Sequence, residues 1–439
     1  MEDNEEFFLK KEIESLKDEN RQLSKKLGSK RYKLIDSVVD TAYKIVPKIP
    51  KRKKKVVKHK VSNKNRNFEK KRVDIINHNF YDWDGKILYK GGAERYVFDL
   101  ANLLLSMGYK PRILQGANKP FEKTYRGIQV VGVKTGAKPG HYRDLSKAYN
   151  QECAKAEFVI ASPNELACEI TNVPCIGINH GVNFDGIWTS TAFTPVDQYA
   201  LQTDSVINMT SCVCVDTNYI NWMRTKDYKL SQKLVYIPNY YSKEVFAKHN
   251  KNHSDNKIVF VYPRRIYEPR GYDITIKAFR NILKTHKNVE LRFIGQIDSA
   301  KVQQDIDEFI AEFPNNVIHK EYKMEDAHKA YHDADIILVP TRYSEGTSLS
   351  CIEGQASGLP VIATDIGGLP NLILDHFNGL LISPKAKSLE KAALEMINNP
   401  SLRKEMAKHS LEVAQSAFEK HLWDQRWQDT INDFQQLIS

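Results

Sequence analysis

The sequence predicts an α/β protein of two doubly wound parallel-sheet domains facing a cleft, preceded by a charged helical extension. Three observations carry this prediction. From Val73 onward, short continuous apolar runs alternate with helical stretches, the pattern of strands buried on both faces beneath covering helices. A polar break at 248–257 interrupts the alternation once, after which it resumes, giving two separate series. The chain has 439 residues, 41% apolar and 10% aromatic, which is more than one ordinary core accommodates and enough to fill two.

The expected strands of the first series lie at 73–77, 111–115, 128–133, 157–161, 175–179, 212–216 and 234–238. Those of the second lie at 258–262, 289–295, 317–322, 335–340, 360–364 and 379–383. The domains are therefore expected at 73–247 and 248–416, each Rossmann-like. The last stretch, 417–439, places Trp423, Trp427, Ile431 and Phe434 at helical spacing, and this helix is expected to pack back on the first domain.

The extension reads differently. Over 6–28, Leu9, Leu16 and Leu23 recur every seven residues, as do Ile13, Asn20 and Leu27. That is a short heptad seam with one register-fixing Asn, so 1–28 is expected to form a coiled coil and a homo-oligomer, the alternative being a lone amphipathic helix packed on the body. Residues 29–72 hold an amphipathic helix at 31–46 and a basic run at 51–60. The net charge of +11 sits here: residues 1–72 carry 23 Lys or Arg against 11 Asp or Glu, while the remainder is balanced to within one charge. An apolar face followed by dense basic charge suits an anionic membrane surface, engaged through residues 31–60. The alternative is a tether holding the coiled coil away from the body, with a linker up to Phe68.

No apolar run is long enough to cross a bilayer, and the Glu-rich start is unlike a signal peptide. The six cysteines lack zinc-site spacing and read as reduced, buried thiols. The expected location is cytoplasmic, peripheral at the inner face of the cell membrane.

In open parallel sheets, ligands bind beyond the carboxyl ends of strands. After strand 335–340, Glu345 precedes Gly346, Thr347 and Ser348, which open a helix running to about Ser357. Free amides at such a helix start form an anion site, and Gly346 permits close approach of a phosphate. Glu353, two turns into the helix, can accept hydrogen bonds from a sugar's vicinal hydroxyls. Ser350 has no local His or Asp to activate it as a nucleophile. After strand 258–262 comes Pro-Arg-Arg-Ile-Tyr-Glu-Pro-Arg-Gly, whose arginines can grip phosphate in a bidentate manner. Gly91 and Gly92 open a helix in the first domain, and His180 ends the strand at 175–179.

The frame running from Glu345-Gly346 through Glu353, Ala356, Gly358 and Pro360 to Gly367-Gly368-Leu369-Pro370 resembles the signature of glycosyltransferase family 4, a retaining family with the GT-B fold. The resemblance implies that Glu345 contacts the transferred sugar and Glu353 the nucleotide's ribose. Counted back from Gly271, it aligns Arg265 with the family's arginine and Arg270 with its lysine, both at the donor diphosphate, and leaves Arg264 where Gly is usual. It places Gly91 and Gly92 near the donor phosphate and the acceptor, and His180 near the donor sugar. Donor binding is thus expected from Arg265, Arg270, Gly346, Thr347, Ser348, Glu353, Gly91 and Gly92, with Glu345 and His180 as catalytic residues.

Two Asp-x-Asp triplets, Asp82/Asp84 and Asp333/Asp335, are read as structural, so no metal and no cofactor beyond the nucleotide-diphosphate sugar is expected. The expected function is a retaining hexosyl- or rhamnosyltransferase acting on a glycan or lipid-linked glycan in bacterial surface-polysaccharide assembly. A non-catalytic scaffold subunit and a basic nucleic-acid-binding protein are the alternatives. The first conflicts with the retained glutamates and arginines. The second conflicts with a neutral body and a basic arm lacking interleaved aromatics, so no nucleic-acid partner is expected. A glycoside hydrolase would need carboxylates on opposite sides of the scissile bond, whereas Glu345 and Glu353 share one loop–helix segment.

Overall fold

The computed structural model describes residues 61–64, 66–89, 91–135, 142–182, 195–247 and 257–439. The expected coiled coil at 6–28 and the amphipathic and basic segment at 31–60 lie outside the described residues.

The first sheet comprises β1 (Glu69–Asn77), β2 (Lys110–Ala117), β3 (Phe121–Tyr125), β4 (Ile128–Lys134), β5 (Ala156–Ser162), β6 (Cys175–Asn179), β7 (Ser211–Cys214) and β8 (Leu234–Tyr236). Among the described residues its order is β3-β4-β2-β1-β5-β6-β7-β8. The second sheet comprises β9 (Ile258–Tyr262), β10 (Val289–Ile294), β11 (Val317–Lys320), β12 (Ile336–Val339), β13 (Val361–Thr364) and β14 (Gly379–Ile382), in the order β11-β10-β9-β12-β13-β14. The centre of the second sheet is continuously apolar: Val259, Phe260, Val261 and Ile336 to Val339 are fully buried. Covering a strand on both faces in this way requires helices on both sides, and burial of each such side chain contributes roughly 1.5–3 kcal/mol.

Two features differ from expectation. Strand β3 runs antiparallel to β4 and is mostly exposed, so it has no apolar run to announce it. Its turn, Arg126-Gly127 with φ of 45° and 86°, is the two-residue hairpin signal that could have found it. The body also begins earlier than residue 73. Strand β1 starts at Glu69, and Arg66 donates to the carbonyls of Ala154, Ala156 and Glu157. The Asn63 amide donates to the carbonyl of Ile438. The stretch 61–68, expected as linker, is docked on the fold.

Each sheet reverses its strand order once, between β1 and β5 in the first and between β9 and β12 in the second. The loops leaving these strand ends diverge and leave a crevice, where open sheets bind ligands. The final helix, Lys420–Ile438, returns to the first sheet. Its Trp423, Trp427, Ile431 and Phe434 join one core with Val73, Tyr96 and Phe158, and Trp427 Nε1 donates to the Tyr96 hydroxyl at 2.9 Å. Truncating either buried tryptophan to Ala removes contacts worth about 3–5 kcal/mol.

Candidate functional site

The loops after β9 and β12 meet at the reversal point of the second sheet. Glu345, on the β12 loop, is buried. Its Oε2 accepts from Arg264 Nη2 at 2.5 Å, Arg270 Nη1 at 2.5 Å and Thr341 Oγ1 at 2.7 Å. Burial alone would raise the Glu345 carboxyl, but Arg264, Arg270 and Thr341 more than offset it and hold it below the usual carboxylate range. Two guanidinium groups against one carboxylate leave one positive charge in excess. The buried Arg264 Nε has no hydrogen-bond partner among the described residues. Such a centre suits an anion rather than a neutral ligand.

Local geometry fixes these groups. Gly271 has φ +80°, and a Cβ there would overlap the Pro340 carbonyl oxygen, so the β9 loop can lie against the end of β12 only with Gly at this position. The Tyr262 hydroxyl donates to the Arg270 carbonyl at 2.9 Å. Arg342 ties the two loops further, its amide donating to the Pro269 carbonyl and its Nη1 to Glu268 and Asp273.

Arg265 is placed elsewhere. It is exposed, with its guanidinium 5.9 Å from the Tyr267 ring centroid. Arg264, with a side chain only 7% exposed, is the arginine of this pair that meets Glu345. The two adjacent side chains leave the loop on different sides, one against Glu345 and one toward solvent. Arg264 and Thr341 were both missed by sequence reasoning, although an Arg pair straight after a strand end was a usable signal.

The helix Leu349–Ala356 follows, with Ser348 at its N-cap. Its first amides have no intrahelical acceptors, and the macrodipole adds positive potential at that end. The helix expected to be opened by Gly346, Thr347 and Ser348 thus begins at Leu349, with Ser348 as its N-cap. Thr347 and Ser348 are buried. The Thr347 hydroxyl donates to the Val215 carbonyl of the first domain, and Asn239 Nδ2 donates to the Thr347 carbonyl. Ser350 Oγ donates to the Pro263 carbonyl at 2.9 Å.

Residues of the first domain meet this loop directly. A Cβ on Gly346 would overlap the His180 carbonyl oxygen, so the β6 and β12 loops touch there. His180 Nε2 is hydrogen-bonded with Ser162 Oγ at 3.0 Å, and its ring meets Tyr96 edge-on at 5.4 Å. Burial lowers its pKa to about 4, so the ring is neutral near pH 7. Gly91 precedes the helix Gly92–Ser106, and its amide donates to Glu94 Oε2. A Cβ on Gly92 would lie 2.9 Å from Leu349 Cδ1, so the N-terminal ends of the two helices abut. Glu353 accepts from Arg95 Nη2 at 2.9 Å and from the Tyr331 hydroxyl at 2.8 Å. Glu345, Arg264, Arg270, Gly346 and His180 are therefore gathered at one place, and Gly92, Leu349, Arg95 and Glu353 at an adjoining one.

The Asp-x-Asp carboxylates serve the backbone and neighbouring side chains. Asp82 Oδ1 accepts from the amides of Lys86 and Ile87, Asp84 Oδ1 from Asn118 Nδ2, and Asp335 Oδ2 from the Val259 amide. The six cysteines are buried and unpaired with one another.

Residues 242–413 match the family described as glycosyl transferases group 1. This segment is similar to a group 1 glycosyltransferase domain. It contains Arg264, Arg270, Thr341, Glu345 and Glu353. Among curated proteins, the chain is 22% identical over 215 residues to a lipopolysaccharide 1,2-N-acetylglucosaminetransferase of Salmonella typhimurium, covering 45% of this chain and 56% of that one. It is 27% identical over 184 residues to the capsular polysaccharide biosynthesis glycosyltransferase CapM of Staphylococcus aureus, covering 40% and 47%. The chain spans about half the length of the curated relatives it matches.

Among solved structures, sucrose-phosphate synthase from Thermosynechococcus elongatus aligns with a TM-score of 0.68 at 17% identity, covering 82% of this chain and 98% of that one. The Anabaena protein HepE, in complex with UDP, aligns with a TM-score of 0.65 at 14% identity, covering 82% and 100%. The fold shared with these structures is GT-B: two parallel-sheet α/β domains.

Proposed function

We propose that this chain is a retaining glycosyltransferase that moves a hexosyl or rhamnosyl residue from a nucleotide diphosphate to a glycan acceptor in bacterial surface-polysaccharide assembly. The observation that carries the reading is the convergence of Arg264 and Arg270 on Glu345 beside the start of helix Leu349–Ala356, within the segment that matches group 1 glycosyltransferases. A diphosphate carries the charge this centre leaves uncompensated. The relatives named for lipopolysaccharide and capsular polysaccharide synthesis support the glycan acceptor.

In this reading Arg264, Arg270 and the amides near Thr347 hold the diphosphate and stabilise the charge that grows on its departing oxygen. The bond from the sugar's anomeric carbon to that oxygen breaks, and a bond to the acceptor hydroxyl forms on the same face. The acceptor's proton passes to the departing diphosphate oxygen. Glu345 meets the transferred sugar, neutral His180 lies beside it, and Glu353 receives the ribose hydroxyls. This reading gives the diphosphate contact to Arg264, which meets Glu345, in preference to the exposed Arg265 aligned there by the sequence.

The acceptor in this proposal is lipid-linked, with residues 31–60 on an anionic inner-membrane face and residues 6–28 joining copies of the chain. These two parts rest on sequence pattern alone. No described helix is long and apolar enough to cross a membrane.

The test is thermal unfolding in the presence of UDP, dTDP, GDP and their sugars. A ligand that binds only the folded state at a hundred times its Kd stabilises by about 2.7 kcal/mol, so one nucleotide series should raise the Tm. No shift with any nucleotide would remove the reading.

A further inference from the structure

We propose that Arg95 is a positioning residue for the donor: reaching from the first domain, it holds the Glu353 carboxylate aimed for the ribose hydroxyls, so that ribose recognition requires both domains. The inference rests on the transferase reading above and adds a residue to it.

The carboxylate of Glu353 is held at both oxygens. Oε1 accepts from Arg95 Nη2 at 2.9 Å and Oε2 from the Tyr331 hydroxyl at 2.8 Å. Each carboxylate oxygen has two lone pairs, so one acceptor site remains on each. Two acceptor sites on one planar group match two vicinal hydroxyls. The Glu353 side chain is only 9% exposed. A carboxylate at that depth needs hydrogen-bonding partners for its oxygens, because polar groups buried without them are costly. Among the described residues of the second domain, Arg264 and Arg270 both pair with Glu345. Arg95 is the cation that pairs with Glu353, and it comes from the other domain.

Arg95 is well placed for this task. It lies in the first turn of helix Gly92–Ser106, and its amide donates to the Gly91 carbonyl. Gly92, three residues before it and so on the same face, packs on Leu349, which lies four residues before Glu353. The close helix contact and the ion pair therefore lie on matching faces of the two helices. One turn on, Asp99 accepts from the Tyr240 hydroxyl, and the neighbouring Tyr96 is fixed by Trp427. The base of the Arg95 side chain is thus anchored, and its planar fork carries a preset direction that an ammonium lacks.

The experiment uses the full chain and the nucleoside diphosphate that stabilises it most, beside the 2′,3′-dideoxy form of the same compound. Calorimetry gives the affinity of each for the wild type, Arg95→Met, Arg95→Lys and Glu353→Gln. Wild type should prefer the ribose form by about tenfold or more, the scale of hydrogen bonds to a charged group. Arg95→Met and Glu353→Gln should both reduce that preference to within about twofold, and Arg95→Lys should recover part of it. A folded Arg95→Met that binds both compounds more weakly but keeps the wild-type ratio overturns the proposal, because a merely structural role lowers both affinities together. If Arg95→Met does not fold, an unchanged ratio in Arg95→Lys overturns it equally. Failure of every nucleotide to bind wild type would sink the transferase reading itself, which is a separate outcome.

Discussion

Arg264 and Arg265 are adjacent in the chain, yet the structure gives them opposite surroundings, and that contrast supports a sharp test. The perturbation is Arg264→Met against Arg265→Met, each keeping an unbranched apolar stem while deleting the guanidinium. Arg264 is 7% exposed and contacts both Glu345 and Thr341, so it acts in a low-dielectric setting. Removing one preorganised donor from such a site costs about 2.7–4 kcal/mol of transition-state stabilisation, or about a hundredfold to a thousandfold in kcat/KM. Glu345 keeps Arg270 and Thr341, so the substitution does not strand a buried carboxylate. Arg265 is exposed, and substitutions at exposed sites away from special contacts change stability by less than about 0.5 kcal/mol. Its variant should stay within about twofold of wild type. The assay is steady-state transfer with the identified donor, with thermal melts to confirm folding. If folded Arg265→Met lost more activity than folded Arg264→Met, the assignment of the diphosphate cation would be wrong.

The remaining predictions concern the glutamates, pH and the arm. Glu353→Gln should mainly weaken nucleotide binding and Glu345→Gln should mainly lower turnover; calorimetry and kcat measured side by side would expose the reverse pattern. Burial holds His180 down to about 4 against an unfolded value near 6.5, so its contribution is complete above the unfolded pKa and is lost as pH falls toward 4. Between pH 7 and pH 5 that loss is about 2 kcal/mol, and denaturant unfolding of His180→Gln should show correspondingly less acid sensitivity than wild type. Full-length protein should sediment with anionic but not neutral vesicles at low salt, and a chain starting at Val61 should not; equal sedimentation of the two removes the membrane role from residues 31–60. Deleting residues 6–28 should reduce the mass seen by light scattering to that of a monomer, and a full-length monomer at micromolar concentration would exclude self-association through that segment.

Much of the fold was legible because buried parallel strands write themselves as apolar runs. Ile258–Tyr262 and Ile336–Val339 are buried on both faces and lack the alternation of a half-exposed sheet. Phe121–Tyr125 escaped because its hydrogen bonds, not its side chains, place it at the sheet edge. The docking of Asn63 and Arg66 escaped because their partners are backbone carbonyls, which leave no trace in composition. At the site, Glu345 and Glu353 were legible from their spacing on one loop and helix. Arg264 was not, because its contacts with Thr341 and Glu345 join two loops far apart in sequence. Arg95 and Tyr331 were not, because their meeting with Glu353 depends on how two domains and three separate segments come together.

The central claim is transfer with retention from a nucleotide diphosphate held at Arg264, Arg270 and the start of helix Leu349–Ala356. The most direct measurement is proton NMR of the protein with the donor chosen by thermal shift, followed during transfer to a glycan acceptor or slow hydrolysis by water. The account predicts release of the nucleoside diphosphate and a new product whose anomeric configuration, read before mutarotation, equals that of the donor. Inverted configuration at the anomeric carbon, or no release of nucleoside diphosphate from any donor that binds, would contradict it.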